Sequence, residues 1–103
     1  MEPTGPWLAR HTARAPAALR ERVRQHVQSV APGNSVAETL AEASREALRQ
    51  VERDPTAGRP VALDLLAADA LITLALLAQA QERPSGLDGF ATDLLQHPVG
   101  RGD

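Results

Sequence analysis

Residues 61–80 read VALDLLAADALITLALLAQA, and these residues give the strongest indication of the fold. It contains nine valine, leucine and isoleucine residues, with alanine at most of the other positions. A helix that is apolar on nearly every side is buried, either at the centre of a helical protein or in a membrane. The stretch therefore predicts a central helix, and the two carboxylates inside it, Asp64 and Asp69, need an explanation.

The same stretch approaches the length of about 20 residues that a membrane-spanning helix needs. Its aliphatic side chains favour insertion by roughly 4 kcal/mol, whereas one central aspartate costs about 3 kcal/mol and Asp64, Thr73 and Gln79 add to that cost. Because these contributions nearly cancel, we expect no membrane insertion. Residues 1–12 also lack the apolar core of a signal peptide, so the sequence predicts a cytoplasmic protein.

Proline, glycine and capping residues mark the helices that precede the central one. Pro16 suits a first helical turn, because its missing N–H group would have no partner there, and a regular stripe of leucine and valine follows it. Residues 31–34, Ala-Pro-Gly-Asn, break this first helix. Ser35 and Glu38 have the spacing of a capping box, so a second helix is predicted to begin there and to end at residues 54–55.

The central helix is the third in the chain, and a short fourth helix follows it. Pro60 starts the third helix and Pro84 stops it, since the residue before a proline avoids the helical conformation. Short loops favour antiparallel neighbours. The sequence therefore predicts an all-α fold, an antiparallel helical bundle of three long helices plus a short fourth over residues 16–97. Residues 1–15 are expected to be flexible or partly ordered, and residues 98–103 to form a disordered tail.

Composition agrees with a helical core and excludes several kinds of site. The apolar side chains are mainly alanine, leucine and valine, and Trp7 and Phe90 are the only aromatic residues. Because cysteine is absent, disulfides, thiolate catalysis and sulfur-ligated zinc are excluded. All eleven basic residues are arginine, a bias that GC-rich coding explains without any special chemistry.

The charge is distributed unevenly along the chain. Residues 1–30 carry five arginines and two glutamates, a net charge of +3, whereas residues 31–103 carry six arginines and eleven acids, a net charge of −5. The basic region can pair with the acidic surface of its own chain or of a second copy. Arg14, Arg20 and Arg24 fall near one side of the first helix if this helix extends backward, and they are possible contacts for an anion or a partner. A DNA-binding regulator that uses this arginine face is therefore an alternative function.

No pattern in the sequence indicates a catalytic, cofactor-binding or metal site. Asp64 and Asp69 lie about 140° apart around one helix and do not converge. The three histidines, His11, His26 and His97, have no second ligand at metal-binding spacing and are expected at the surface or in an interface. Asp64 is predicted to lie in a first helical turn, where negative charge is favourable, and Asp69 to be buried and paired.

The apolar helix also predicts self-association. Two long neighbours leave about 160° of its circumference uncovered, and an exposed apolar patch of that size is typical of an interface. We expect a homodimer, or a complex with another helical protein, held by Leu65, Leu66, Ile72 and Leu76. The predicted function is a small non-enzymatic protein-interaction module, a homo-oligomeric adaptor, scaffold or regulatory subunit without a cofactor. A further alternative is a bundle that binds a hydrophobic ligand near Asp69.

Overall fold

The computed structural model describes residues 3–53 and 58–96, and these residues form five α-helices that pack against one another. The helices are α1 (Thr4–His11), α2 (Ala17–Gln28), α3 (Val36–Arg53), α4 (Arg59–Glu82) and α5 (Leu87–Gln96), with a 3-10 turn over Pro84–Gly86 before α5. The predicted all-α class is confirmed, since the described residues contain no strand. The antiparallel bundle order stays a prediction, and the predicted tail at residues 98–103 lies outside the described residues.

The turn before α3 shows why a helix begins there. Ser35 Oγ accepts a hydrogen bond from the N–H group of Glu38 at 3.1 Å, as the capping prediction requires. The Glu38 carboxylate accepts from the N–H group of Asn34 at 2.9 Å, one residue before the position that a standard capping box uses. A Cβ atom at Gly33 would lie 2.9 Å from the Cβ atom of Glu38, so only glycine fits this close approach.

The core is centred on α3 and α4, which form the most extensive contact between elements. The buried side of α4 repeats every three or four residues and consists mainly of alanine, as does that of α3. Small side chains allow the two helix axes to approach closely, and larger residues fill the space beside them. The core residues of this pair that have no exposed surface are Ala37, Leu40, Ala43 and Ala47 in α3 and Ala67, Leu71, Ala75 and Ala78 in α4.

Helix α1 lies within the segment that the sequence analysis expected to be flexible or partly ordered. Trp7 and Leu8 are buried, and the indole Nε1 of Trp7 donates to Gln81 Oε1 at 3.1 Å. The ring of His11 stacks on Trp7 with centroids 4.0 Å apart, and its Nδ1 donates to the Trp7 carbonyl at 2.9 Å. The tryptophan therefore attaches α1 to the end of α4, which gives this short helix the tertiary contact that isolated helices of its length lack.

Candidate functional site

One face of α4 is exposed in the single chain. Leu65, Leu66 and Leu77 are 48%, 57% and 40% exposed, although large apolar side chains are normally buried. The exposed positions repeat every three or four residues, so they share one side of the helix, opposite the side that is buried in the core. We call this surface the outer face of α4 and define it by Ala62, Leu65, Leu66, Asp69, Thr73 and Leu77.

The predicted interface residues fall into two groups. Leu65 and Leu66 lie on the outer face, whereas Ile72 and Leu76 are half-buried and pack against the core. Sequence reasoning did not select Leu77, which is exposed like the first two. Its position, three helical turns after Leu66, was the available signal, because residues eleven apart return to the same side of a helix.

The solvent-facing side of α3 is different in character. Arg49 lies 2.9 Å from both Glu42 and Glu46, and Arg53 lies 2.9 Å from Glu46. Hydrogen bonds, first from Arg53 and then from Arg49, lower the pKa of the Glu46 carboxyl. A helix surface that carries several ion pairs is typical of permanent exposure to water. The outer face of α4 has one charged side chain, that of Asp69, among its six residues.

Asp69 is exposed, so the prediction of a buried carboxylate is wrong for the single chain. The residue lies near the middle of the outer face, on the side of α4 away from the core, where water solvates the charge. The Thr73 hydroxyl, one turn further along, donates to the backbone carbonyl of Asp69 at 3.1 Å. The midpoint of an otherwise apolar face is therefore polar.

Among the described residues, one segment could cross a membrane by its length and composition alone. This segment, Val61–Glu82, comprises most of α4, and 28% of its most apolar window is buried inside the chain. The core helix of a soluble protein passes the same test, but such a helix is mostly buried. The low burial of α4 and its exposed leucines therefore agree: a large apolar surface of this helix is not covered by the rest of the chain.

A polar cluster that the sequence analysis missed joins α2 to α4. His26 Nε2 donates to Asp64 Oδ1 at 2.9 Å, and Arg22 lies 3.6 Å from the same oxygen. His26 is buried within the chain, so its expected position at the surface or in an interface is wrong, and the Asp64 side chain is only 14% exposed. The first-turn explanation for Asp64 is wrong, because α4 begins at Arg59 and its first turn contains no acid. The signal in the sequence was the four-residue spacing of Arg22 and His26, which puts both side chains on one face of α2.

This cluster connects two helices. A histidine and a carboxylate supply two potential ligands, and the described residues contain no group of three or more that could hold a metal ion. The hydroxyl of Ser29 donates to the His26 backbone carbonyl at 2.8 Å, so in this structure it is not aimed at the imidazole. The cluster sets how α2 lies on α4 by satisfying both buried polar groups.

The three arginines chosen as possible anion contacts do not form one stripe. Helix α2 begins at Ala17, so Arg14 lies in the turn before it. Arg20 donates to the Ala13 carbonyl at 3.3 Å. Arg24 Nε donates to Glu21 Oε2 at 2.8 Å, and this hydrogen bonding lowers the pKa of Glu21. The expected continuous basic face is therefore interrupted by a turn and by an acid.

An apolar groove of about 580 Å³ lies between α1 and α2, within the size range of small-molecule sites. Its lining includes Leu8, Ala13 and Val27, together with the paired Glu21 and Arg24. The ligand alternative expected a site near the carboxylate in the middle of α4, and that residue is not part of this lining. The groove therefore gives no support to the ligand alternative as it was predicted.

The outer face of α4 is thus the surface whose properties are least compatible with an isolated chain in water. Comparison with protein-family models, with curated proteins and with solved structures finds no match in any of the three. The function must therefore be argued from this surface and its chemistry.

Proposed function

We propose that this chain is a small non-enzymatic interaction module that works as a homodimer, in the manner of an adaptor, a scaffold or a regulatory subunit. The observation that carries the proposal is the outer face of α4, with three leucines exposed by 40% to 57% on one side of the most apolar helix. A second copy that covers this face removes it from water in both chains at once.

The energetic argument follows from the exposed area. Full burial of a leucine side chain contributes about 1.5–3 kcal/mol. Leu65, Leu66 and Leu77 are about half-exposed, so covering the exposed part would contribute about 1 kcal/mol more for each of them. Three leucines per chain therefore offer about 6 kcal/mol to a symmetric dimer. The half-buried Ile72 and Leu76 border the same face and add to this sum. Because association itself costs at least about 4 kcal/mol, the three leucines alone leave only about 2 kcal/mol, so a micromolar dimer also requires burial of the residues beside them on α4.

The alternatives have less support from the described residues. DNA binding requires free arginines that can contact phosphates, and Arg24 is paired with Glu21 while Arg14 lies outside α2. A lipid bilayer would cover the leucines of α4, but it would also place Asp69 and Thr73, at the middle of the same face, in contact with lipid. A protein surface can satisfy these two polar groups, whereas lipid chains cannot.

Sedimentation velocity from low to high micromolar concentration tests the proposal. We expect the wild type to shift from one chain to two, and Leu66→Gln to remain a single chain throughout. Leu95→Gln is the matched control, because Leu95 is 62% exposed but lies on α5, and we expect this variant to dimerise like the wild type.

Two results would reject the proposal. A wild type that stays a single chain at high micromolar concentration excludes the homodimer. A protein that floats with phospholipid vesicles, and loses this property in Leu66→Gln, assigns the outer face to a membrane instead.

A further inference from the structure

The residues on and beside the outer face of α4 are nearly symmetric about the level of Leu71. Read forwards from residue 62, the chain has alanine, then Leu65-Leu66; read backwards from residue 80, it has alanine, then Leu77-Leu76. The two polar residues, Asp69 and Thr73, are equally distant from Leu71 on either side. An antiparallel partner with the same sequence therefore presents alanine to alanine and leucine to leucine.

From this symmetry we propose that two copies of α4 pack antiparallel across a two-fold axis at Leu71, with each Asp69 level with Thr73 of the second copy. The proposal rests on the homodimer proposed above and specifies its geometry. A two-fold axis makes the interface isologous, so every contact occurs twice. In this register, residues whose numbers add up to 142 lie at the same level.

The shape of the face suits this arrangement. Around the helix, Ala62, Asp69 and Thr73 lie along the midline of the outer face, half-buried Ala80 continues the same line, and leucines lie on both sides of it. Small side chains along the midline let two helix axes approach to about 8–10 Å. Leu66 and Leu76 then flank the contact from opposite sides, so each chain supplies one of the two leucines at every level.

Asp69 distinguishes this register from its neighbours. If the axis moves to residue 69, the two carboxylates lie level with each other and repel, and a parallel pair has the same defect. If the axis moves to residue 73, each Asp69 faces Leu77 of the second copy and is desolvated without a partner. With the axis at Leu71, the carboxylate faces the Thr73 hydroxyl, which can rotate away from its present acceptor, the Asp69 carbonyl.

A polar residue at the centre of an apolar helix pair is known to specify register at a cost in affinity. We therefore assign Asp69 the role of selecting the alignment. This role explains why a carboxylate is exposed in the single chain, in the middle of a face that is otherwise suited to burial.

Engineered cysteines test the alignment, because the natural chain has none. We would make Leu66→Cys and Leu76→Cys separately, with a tag on one of them, and mix them in a glutathione redox buffer. We expect a disulfide between the two different variants and little self-pairing of either one. In the proposed register the two copies of residue 66 are ten residues apart along the axis, about 15 Å, which is too far for a disulfide.

A second pair, Leu65→Cys with Leu77→Cys, repeats the test with a short bismaleimide. Both positions are exposed in the single chain, so these changes leave the core untouched. Efficient self-pairing of Leu66→Cys or of Leu65→Cys would overturn the antiparallel register. The proposed homodimer would still hold after that result, since self-pairing requires two copies of the chain. A single chain by sedimentation, with no cross-linking in either mixture, would overturn the homodimer as well.

The role of Asp69 is tested by Asp69→Leu in the same cysteine background. We expect at least a tenfold lower dissociation constant together with self-paired disulfides, because further registers become accessible. An unchanged cross-linking pattern with this substitution would show that Asp69 does not select the alignment.

Discussion

The substitution Leu66→Ala gives a quantitative test of the outer face of α4. Leu66 is 57% exposed in the single chain, so a little over half of its burial free energy of about 1.5–3 kcal/mol is available only to an interface. Alanine removes most of that amount, about 1 kcal/mol per copy. The two-fold axis doubles the loss to about 2 kcal/mol, which raises the dissociation constant of the dimer about 30-fold.

The control is another leucine of the same helix, five residues away. Leu71 is fully buried, so Leu71→Ala leaves a cavity and should reduce the free energy of unfolding of the single chain by about 3 kcal/mol. Sedimentation equilibrium gives the dissociation constants. Urea unfolding at protein concentrations below the dissociation constant gives the free energy of unfolding of the single chain. We expect Leu66→Ala to change the first and hardly the second. A Leu66→Ala variant that dimerises like the wild type would show that Leu66 is not part of the dimer interface.

Three further predictions concern the single chain. Asp64→Ala should lower the free energy of unfolding by about 2 kcal/mol, because it leaves buried His26 without its acceptor, and Asp64→Asn should lose less in the same urea titration. Ser35→Ala should lose about 1 kcal/mol and Ser35→Gly only a few tenths, since the hydroxyl accepts the Glu38 N–H group; a larger loss for glycine would reject the cap. Because arginines lower the pKa of Glu46, its contribution is complete above the ordinary pKa of 4.5 and is lost as the pH falls through the lowered value. Stability of Glu46→Gln should therefore fall less than that of the wild type between pH 5 and pH 3, and parallel curves would contradict this.

The helices could be predicted from the sequence because local chemistry defines their ends. Pro16, the break at residues 31–34 and Pro84 act through backbone geometry that does not depend on the rest of the fold. The apolar pattern of residues 61–80 predicted both the central helix and an uncovered side. Leu65 and Leu66 are exposed in the single chain, which agrees with the estimate that two neighbouring helices leave one side of this helix uncovered.

What could not be predicted depends on how distant segments meet. The hydrogen bond between His26 and Asp64 joins residues 38 positions apart, and the spacing of Arg22 and His26 indicates a shared face of α2 but not which residue of α4 that face contacts. Helix α1 is eight residues long and has few apolar side chains, so its order depends on the contact between Trp7 and Gln81. For Asp69, the sequence showed apolar neighbours but not which side of the helix the core would cover.

In the proposed dimer, a second copy of this chain covers the outer face of α4. The most direct measurement is an isotope-filtered NOE experiment on an equal mixture of labelled and unlabelled protein at high concentration. We predict intermolecular NOEs that join the methyl groups of Leu65 and Leu66 to those of Leu76 and Leu77. Intermolecular NOEs confined to other helices, or none at all in a sample with the mass of a single chain, would contradict the claim.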